Sequence, residues 1–166
     1  KRTAAVHATA SKIFCRSFNW GRPSVSHRSQ ILQQLSKNSG VNTIVNRIVM
    51  VPSTLSIVVP IHNEEPAILP LYDRLTTVLD RLHKPYELIF VDDASTDRSF
   101  DLLANLVETD IHLKVIRLRR NFGQTAALAA GFDEASGESV VSLDGDLQHA
   151  AEDIPLLLEN IEEGSD

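Results

Sequence analysis

The sequence predicts an α/β fold, in which a mostly parallel β-sheet carries helices on both faces. From residue 55 onward, short aliphatic and β-branched runs alternate with longer segments whose apolar residues recur at helical spacing. The short runs are nearly continuous in apolar residues, as expected for parallel strands covered on both faces. Strands and helices that alternate in this way form β-α-β units with right-handed crossovers.

The chain joins two compositions. Its 166 residues carry a formal net charge of −6, yet no acid precedes Glu64, and half of the 16 Lys and Arg residues lie before it. Residues 1–49 are basic and Ser-rich without a clear period, so we expect a poorly ordered extension. Three interpretations stay open: sequence translated upstream of a start at Met50, an organellar transit peptide, or a basic arm. Because the basic residues are not clustered, we expect no nucleic-acid partner.

Several classes of protein are disfavoured. A single cysteine, Cys15, allows no internal disulfide framework. The sequence has no run approaching the roughly 18 apolar residues that a membrane-spanning helix needs. It also lacks a glycine-rich dinucleotide fingerprint and a Walker-type phosphate loop, which disfavours nicotinamide-dependent and ATP-hydrolysing enzymes. At 166 residues the chain is long enough to form one domain with a sizeable core, which the 5% aromatic content makes largely aliphatic.

The first unit begins at residue 55. Residues 55–59 form the predicted first strand, which we expect Pro60 to end. Pro66 is placed to start a helix with acids at its positive end, and the apolar spacing extends that helix from about 65 to 83.

The later units repeat the pattern. Strands are predicted at 86–91, 112–118 and 139–142, and Ser95 or Thr96 is positioned to cap the helix after the first of these. Predicted helices at 124–135 and from near 151 complete the series, and the first of these contains small residues that allow close packing on the sheet. If the sheet ends at its fourth parallel strand, an exposed edge and a marginally stable, aggregation-prone protein are expected.

Polar side chains follow each predicted strand. In open α/β sheets, ligands bind outside the carboxyl ends of the strands, so we expect these groups to converge on one rim. The groups are residues 62–64, 92–93, 119–121 and 144–146.

Asp144 and Asp146, separated by a glycine, follow the last strand. A compact pair of carboxylates suits a hard divalent cation, Mg²⁺ or Mn²⁺, that carries substrate phosphates, and Gln148 adds an amide oxygen within reach. Gly145 would let a phosphate or sugar approach the backbone. The alternative is that the pair belongs to an ordinary turn or helix start.

Other rim residues allow two interpretations each. Asp93 could accept hydrogen bonds from a base or ribose, or serve as a turn or capping acid. Asp97 is better explained as a cap than as a ligand. His62 could stack on a base or lie on the surface, and Arg119 and Arg120 could hold phosphate or be solvated.

Four segments of the chain form a recognisable series: VPIHNEE at 59–65, VDDASTD at 91–97, RNFGQ at 120–124 and LDGDLQH at 143–149. In this order and at this spacing, they resemble the motifs of family 2 glycosyltransferases. The resemblance is greatest to dolichol-phosphate mannose synthases and bacterial polyprenyl-phosphate glycosyltransferases, and covers roughly residues 54–166.

The resemblance implies the nucleotide-binding half of a GT-A fold, with its Rossmann-like sheet, and inverting transfer of a sugar from a nucleotide diphosphate sugar to a polyprenyl phosphate. It places five residues in the nucleoside pocket: Pro60, His62, Glu64, Val91 and Asp93. It places Ala127 near the ribose or base. It assigns Asp144 and Asp146 as catalytic residues that face the metal and diphosphate together with Gln148, with Gly145 against the nucleotide.

Two departures from the family pattern stand out. His62 occupies a position where the family usually has Tyr, and Ala150 and Ala151 replace a Pro-Pro pair. The family's acceptor-binding part would lie after Asp166, so the chain resembles a fragment. The implied partners are a UDP- or GDP-linked sugar, a polyprenyl phosphate and, through that later part, the cytoplasmic face of a membrane.

Three other functions remain open for the chain: a nucleotide-sugar-binding module without turnover, a family member with a polysaccharide or glycan acceptor, and a structural domain with incidental rim acids.

Overall fold

The computed structural model describes residues 54–146 and 151–162, together with three short strands that precede them. Side chains are described for 54–146 and 151–159. The short strands are β1 (Thr3–Ala4), β2 (Cys15–Ser17) and β3 (Val41–Ile44).

Four longer strands and four helices alternate along the rest of the chain, as the sequence predicts. The strands are β4 (Leu55–Ile61), β5 (Tyr86–Asp92), β6 (Leu113–Leu118) and β7 (Ser139–Ser142). The helices are α1 (Glu65–Arg81), α2 (Ser99–Thr109), α3 (Gln124–Glu134) and α4 (Ile154–Glu162), the last preceded by a 3₁₀ turn at Ala151–Asp153. None of the helices within these described residues has the length and apolar character that crossing a membrane requires.

The four longer strands form the parallel centre of the sheet. Their order is β7-β4-β5-β6, with Leu55 opposite both Tyr86 and Ser139 at the start of β4. The chain runs from β4 outward to β6 and then crosses back to place β7 on the other side of β4. The strand order therefore reverses at β4, which is the position where open α/β sheets form a ligand-binding crevice.

Short antiparallel strands cover both edges of this parallel centre. Strand β2 pairs with β7 and β3 pairs with β6, so the expected exposed edge is wrong. These strands come from residues 1–49, where the sequence predicts poor order. The remainder of that segment lies outside the described residues, and the prediction for it stays a prediction.

The core consists of two apolar layers, one on each face of the sheet. Residues that alternate along β4 and β5 face opposite layers, because successive side chains of a strand point to opposite faces. Helices α1, α2 and α4 pack on one face, and α3 packs on the other, with Ala127 against the sheet. The prediction of helices on both faces is confirmed.

Helix α3 packs on the sheet through a glycine, as its small residues predict. A β-carbon at Gly131 would lie 2.3 Å from Val58 Cγ1 and 3.1 Å from Val91 Cγ2. Both valines are fully buried, so neither side chain has room to withdraw. The small side chains therefore set the distance between α3 and the sheet.

The expectation that Pro60 ends the first strand is wrong. Strand β4 continues to Ile61, and Pro60 is opposite Val91 of β5. The neighbouring strand β7 stops at Ser142, so β4 has no strand partner on that side beyond Val58. A proline is tolerated there because its missing N–H faces a position where the ladder has already ended.

The predicted caps of α2 are also wrong. The N–H of Ser99, the first residue of α2, donates to Asp97 Oδ1 at 2.9 Å, whereas Ser95 and Thr96 make their contacts elsewhere. The second oxygen of Asp97 accepts from the N–H of Glu65, at the start of α1. Asp97 therefore holds the starts of two helices, in agreement with its interpretation as a cap.

Candidate active site

A pocket of about 310 Å³ opens at the carboxyl ends of the parallel strands. It lies where the strand order reverses, between the ends of β4, β5 and β7 and the start of α3. Its lining residues are Pro60, Ile61, His62, Glu64, Asp93, Gln124, Ala127, Asp144, Gly145 and Asp146.

The loops after β4 and β5 are hydrogen-bonded to each other below the pocket. The Asn63 N–H donates to Ser95 Oγ at 2.9 Å, and Asn63 Oδ1 accepts from the N–H of Thr96 at 2.7 Å. The Glu64 N–H donates to Ser99 Oγ at 2.9 Å. Asn63 has a φ of +58°, which asparagine adopts more readily than most residues. These contacts fix the backbone that carries His62 and Glu64 relative to the backbone that carries Asp93.

Asp93 is buried beside the pocket, and each of its two oxygens accepts a hydrogen bond from the backbone. Its Oδ1 accepts from the N–H of Phe122 at 2.8 Å, and its Oδ2 accepts from the N–H of Gly123 at 2.7 Å. Asp93 therefore anchors the turn before α3, in agreement with its interpretation as a turn acid. A carboxylate offers about four acceptor positions, so the same side chain is also able to accept from a ligand in the pocket.

His62 spans the mouth of the pocket in one defined tautomer. Its Nδ1 lies 3.0 Å from the backbone oxygen of Asp93, and its Nε2 lies 3.0 Å from Asn121 Nδ2 and 3.3 Å from Asn63 Nδ2. Because a carbonyl oxygen can only accept, Nδ1 carries the proton and Nε2 accepts from the amides. The ring is exposed but held at both nitrogens, which leaves its faces available for stacking.

The acidic side of the pocket is formed by Asp144 and Asp146. Asp144 is partly buried and accepts a 2.6 Å hydrogen bond at Oδ1 from Gln124 Nε2, while Asp146 is exposed. Both acids come directly after β7 in the chain. The N–H of Leu143 donates to Val58 O, and this hydrogen bond holds the residues after β7 next to β4. Their carboxylates therefore lie at the rim opposite Asp93.

Gly145 approaches the end of β4 closely. A β-carbon at this position would lie 2.5 Å from Ile61 Cδ1 and 3.0 Å from Pro60 O. The absent side chain therefore faces the end of β4, and glycine avoids a close contact there. The approach of a ligand to Gly145 stays a prediction.

The oxygen donors at the rim fit a divalent cation that a substrate completes. Among the described residues 54–146 and 151–162, no three side chains of His, Cys, Asp or Glu lie together in a way that could hold a metal ion. A cation such as Mg²⁺ is commonly bound through one or two carboxylates and the phosphates of its substrate. Asp144 and Asp146 match that donor set, whereas they are too few for a cation enclosed by protein alone.

Most of the predicted site residues come together in the pocket. Val91 does not line the pocket, since it is fully buried against Gly131. Gln148 lies outside the described residues. Arg119 and Arg120 are exposed and also do not line it, and the guanidinium of Arg120 lies 4.7 Å from the centre of the Phe122 ring.

Two residues that line the pocket, Ile61 and Gln124, are not among the predicted site residues. Ile61 belongs to the part of β4 beyond Pro60, where the strand was expected to have ended. Gln124 belongs to a recognised motif but received no role, although its position directly after Gly123, at the start of a helix that begins at the rim, is a signal that could have found it.

Comparison with curated proteins finds relatives that match the part of the chain with the pocket. The undecaprenyl-phosphate 4-deoxy-4-formamido-L-arabinose transferase of Yersinia pestis (strain Pestoides F) is 44% identical over 113 residues, covering 68% of this chain and 35% of the relative. The protein of the same name from Yersinia enterocolitica is 42% identical over 113 residues, with the same coverage. The chain thus spans about a third of the length of these relatives.

Solved structures share the fold. A crystal structure of S. aureus TarS residues 1–349 in complex with UDP aligns with a TM-score of 0.52 and 27% identity, covering 66% of this chain and 32% of that one. The mannosyltransferase PcManGT from Pyrobaculum calidifontis, in complex with GDP-Man and Mn²⁺, aligns with a TM-score of 0.51 and 25% identity, covering 86% and 40%. The fold is therefore of the GT-A type.

A family match covers the pocket and, apart from Leu55, the four longer strands. The family described as "Glycosyl transferase family 2" matches residues 56–166, which is more than half of the chain. This range contains the four motifs that resemble the family and every residue that lines the pocket. The chain belongs to glycosyltransferase family 2.

Proposed function

We propose that this chain is the donor-binding part of a glycosyltransferase that moves a hexosyl group from a nucleotide diphosphate sugar to a polyprenyl phosphate. The observation that carries the proposal is the layout of the pocket, which has an aromatic ring and a buried acid at one side and two carboxylates at the other. A nucleoside fits the first side, and a metal-bound diphosphate fits the second. The names of the curated relatives support a polyprenyl phosphate acceptor.

On the nucleoside side, His62 offers a ring face for stacking on a base. Asp93 is the hydrogen-bond acceptor beside it, and Pro60 and Glu64 complete that wall. Ala127 is fully buried at the base of α3, and its small side chain leaves room for the ribose. Val91 supports this wall from behind, through its contact with α3.

On the diphosphate side, Asp144 and Asp146 would hold Mg²⁺ or Mn²⁺, and we propose Gln148 as a further ligand. When bound, such a cation stabilises the negative charge that develops on the departing nucleoside diphosphate. Asp144 is held in place for this role by Gln124. Gly145 keeps the two acids close to the end of β4, and therefore close to the nucleoside wall.

The acceptor chemistry requires little from this part of the chain. A polyprenyl phosphate is already an anion, so a strong general base is not needed for its attack on the sugar, and inversion follows from a single displacement. We place the acceptor site and any membrane contact in the part of the relatives that this chain does not span. A polyprenyl phosphate acceptor would bring the enzyme to the cytoplasmic face of a membrane.

Calorimetric titration with UDP and with GDP, each with and without Mn²⁺, tests the donor site. We expect one of the two to bind, with a metal-dependent gain in affinity that Asp146→Ala abolishes. Asp101→Ala is the matched control, because Asp101 is an exposed acid on α2, away from the pocket. Absence of binding by a folded wild-type protein would overturn the proposal.

Transfer of radiolabelled sugar to undecaprenyl or dolichyl phosphate in detergent tests the reaction. The alternative function, a binding module without turnover, has one observation in its favour, since the chain spans 35% of its transferase relatives. One outcome would assign binding alone to this part of the protein. In that outcome, this chain binds the nucleotide in a metal-dependent way but transfers no sugar, whereas a protein of the relatives' full length both binds and transfers.

A further inference from the structure

Consecutive residues at the start of α3 join the two sides of the pocket. The backbone N–H groups of Phe122 and Gly123 donate to the two oxygens of Asp93. The side chain of the next residue, Gln124, donates to Asp144 Oδ1 at 2.6 Å. Residues 122–124 therefore form a continuous connection, which we call the α3 bridge, between the acid of the nucleoside side and an acid of the diphosphate side.

Gln124 is not used in the helix that it begins. The start of α3 has no side-chain cap hydrogen bond, and the Gln124 amide instead contacts a residue 20 positions later in the chain. Because a carboxylate can only accept, the amide nitrogen is the atom that faces Asp144. The contact is thus a specific link between the start of α3 and the residues that follow β7.

The chemistry of the link suits an acid that has to keep its charge. A glutamine amide is a neutral donor, so it fixes the direction of the Asp144 carboxylate without cancelling its negative charge as Lys or Arg would. The hydrogen bond to an ionised oxygen is also stronger than one between neutral groups. The contact with Gln124 therefore restricts the orientation of Asp144 without itself neutralising the carboxylate.

We propose that Gln124 is a positioning residue that orients Asp144 toward the divalent cation, and that the α3 bridge thereby fixes the cation-binding acid relative to the acid of the nucleoside side. This inference rests on the proposed function, since it needs a nucleotide donor held through a cation. Partners that orient metal-binding side chains in this way typically change metal affinity by about 10- to 100-fold.

Gln124→Met is the informative variant, because methionine matches glutamine in length and in helix propensity but donates no hydrogen bond. Thr125→Val is the matched control at the neighbouring exposed position, which does not line the pocket. Three probes are used. The first is whichever of UDP and GDP binds the wild type, the second is the corresponding nucleoside, and the third is Mn²⁺. The readouts are calorimetric affinities, the electron paramagnetic resonance spectrum of bound Mn²⁺, and the melting temperature.

We expect Gln124→Met to bind the nucleoside as the wild type does, while the gain in diphosphate affinity that Mn²⁺ provides falls by about tenfold. The spectrum of bound Mn²⁺ should change, and Thr125→Val should match the wild type throughout. A gain that is unchanged in Gln124→Met would overturn the inference, as would equal losses of nucleoside and diphosphate affinity with a lower melting temperature. A wild type that binds no diphosphate would instead overturn the proposed function, and the inference with it.

Discussion

The side chain of Arg117 reaches a fully buried carboxylate, with its Nε 3.2 Å from Asp92 Oδ2. The other oxygen of Asp92 accepts from the N–H of Ser95 at 3.0 Å. The Arg117 guanidinium lies 4.1 Å from the centre of the Phe100 ring. The pair therefore anchors the loop that carries Asp93, directly after β5, from the side away from the pocket.

Replacing Arg117 with methionine should destabilise the protein. The change leaves a buried carboxylate without its counter-charge, which costs about 3–5 kcal/mol at fully buried sites. Because the Arg117 side chain is 39% exposed, water screens the pair, and we expect a loss of about 1–3 kcal/mol. Urea denaturation measures it. Asp92→Asn is the companion variant, since removing the buried charge itself should lower the free energy of unfolding by less. An Arg117→Met protein as stable as the wild type would show that the ion pair does not stabilise this loop.

Asp93→Asn should loosen the start of α3 and weaken donor binding. Both oxygens of Asp93 accept from backbone N–H groups, and an asparagine provides only one oxygen, so either Phe122 or Gly123 loses its bond to this side chain. The N–H of Gly123 would keep Asn121 Oδ1, at 3.0 Å, as an acceptor. Hydrogen bonds to charged groups contribute about 1.5–3 kcal/mol, so we expect at least a tenfold weaker nucleotide affinity. Calorimetry measures the affinity, and hydrogen exchange of the Phe122 and Gly123 amides measures the loop. Unchanged exchange at both amides would argue against the anchoring role.

The main elements of this fold could be predicted from sequence because their signals are local. Strand β7 has the predicted bounds, and α3 ends one residue earlier than predicted, at Glu134. Errors arose where a neighbour overrides local preference. Proline disfavours a strand interior because it has no N–H to donate. Strand β4 nevertheless continues through Pro60, because β7 has already stopped on that side.

The sequence predicts which residues lie near the candidate site, because they follow the strand ends. It does not predict the hydrogen bonds and packing contacts that these residues make. Parallel strands present their carboxyl ends on one rim, so the approach of Asp93, Asp144 and Asp146 follows from the order of elements. The hydrogen bond between Gln124 and Asp144 depends on how the start of α3 is placed relative to the end of β7 in the folded protein, and the local pattern does not show this. Likewise, the close approach of Gly145 to Ile61 is visible only once β4 and the residues after β7 are packed together.

Gly145→Ala should move the two rim acids. The added β-carbon would collide with Ile61 Cδ1 and contact Pro60 O, and overpacking of this kind costs about 1–3 kcal/mol. We expect lower stability, measured by urea denaturation, and weaker metal-dependent nucleotide binding, measured by calorimetry. Ile61→Val removes the atom that would collide, so the double variant Gly145→Ala with Ile61→Val should recover part of both losses. Additive losses in the double variant would show that the collision is not the cause.

A buried ionic cluster at the opposite end of the strands should make stability depend on acid pH. Burial by itself would raise the pKa of Glu87, but the ammonium of Lys114 and hydrogen bonds from Ser56 and Ser136 outweigh it, and the pKa lies below its ordinary value of 4.5. The unfolded chain therefore binds this proton more tightly than the folded protein. The stabilisation is present above about pH 4.5 and is lost as the pH falls through the lower pKa of the folded state.

Glu87→Gln isolates this contribution, because glutamine keeps the shape of the side chain but does not titrate. Urea denaturation of both proteins at several values between about pH 7 and pH 3 gives the free energy of unfolding against pH. The wild type should be the more stable of the two near pH 7, since the variant leaves Lys114 without its counter-charge. The difference should shrink as the pH falls below about 4.5, because protonated Glu87 also loses its ion pair. A difference that stays constant across this range would show that Glu87 keeps an ordinary pKa in the folded protein.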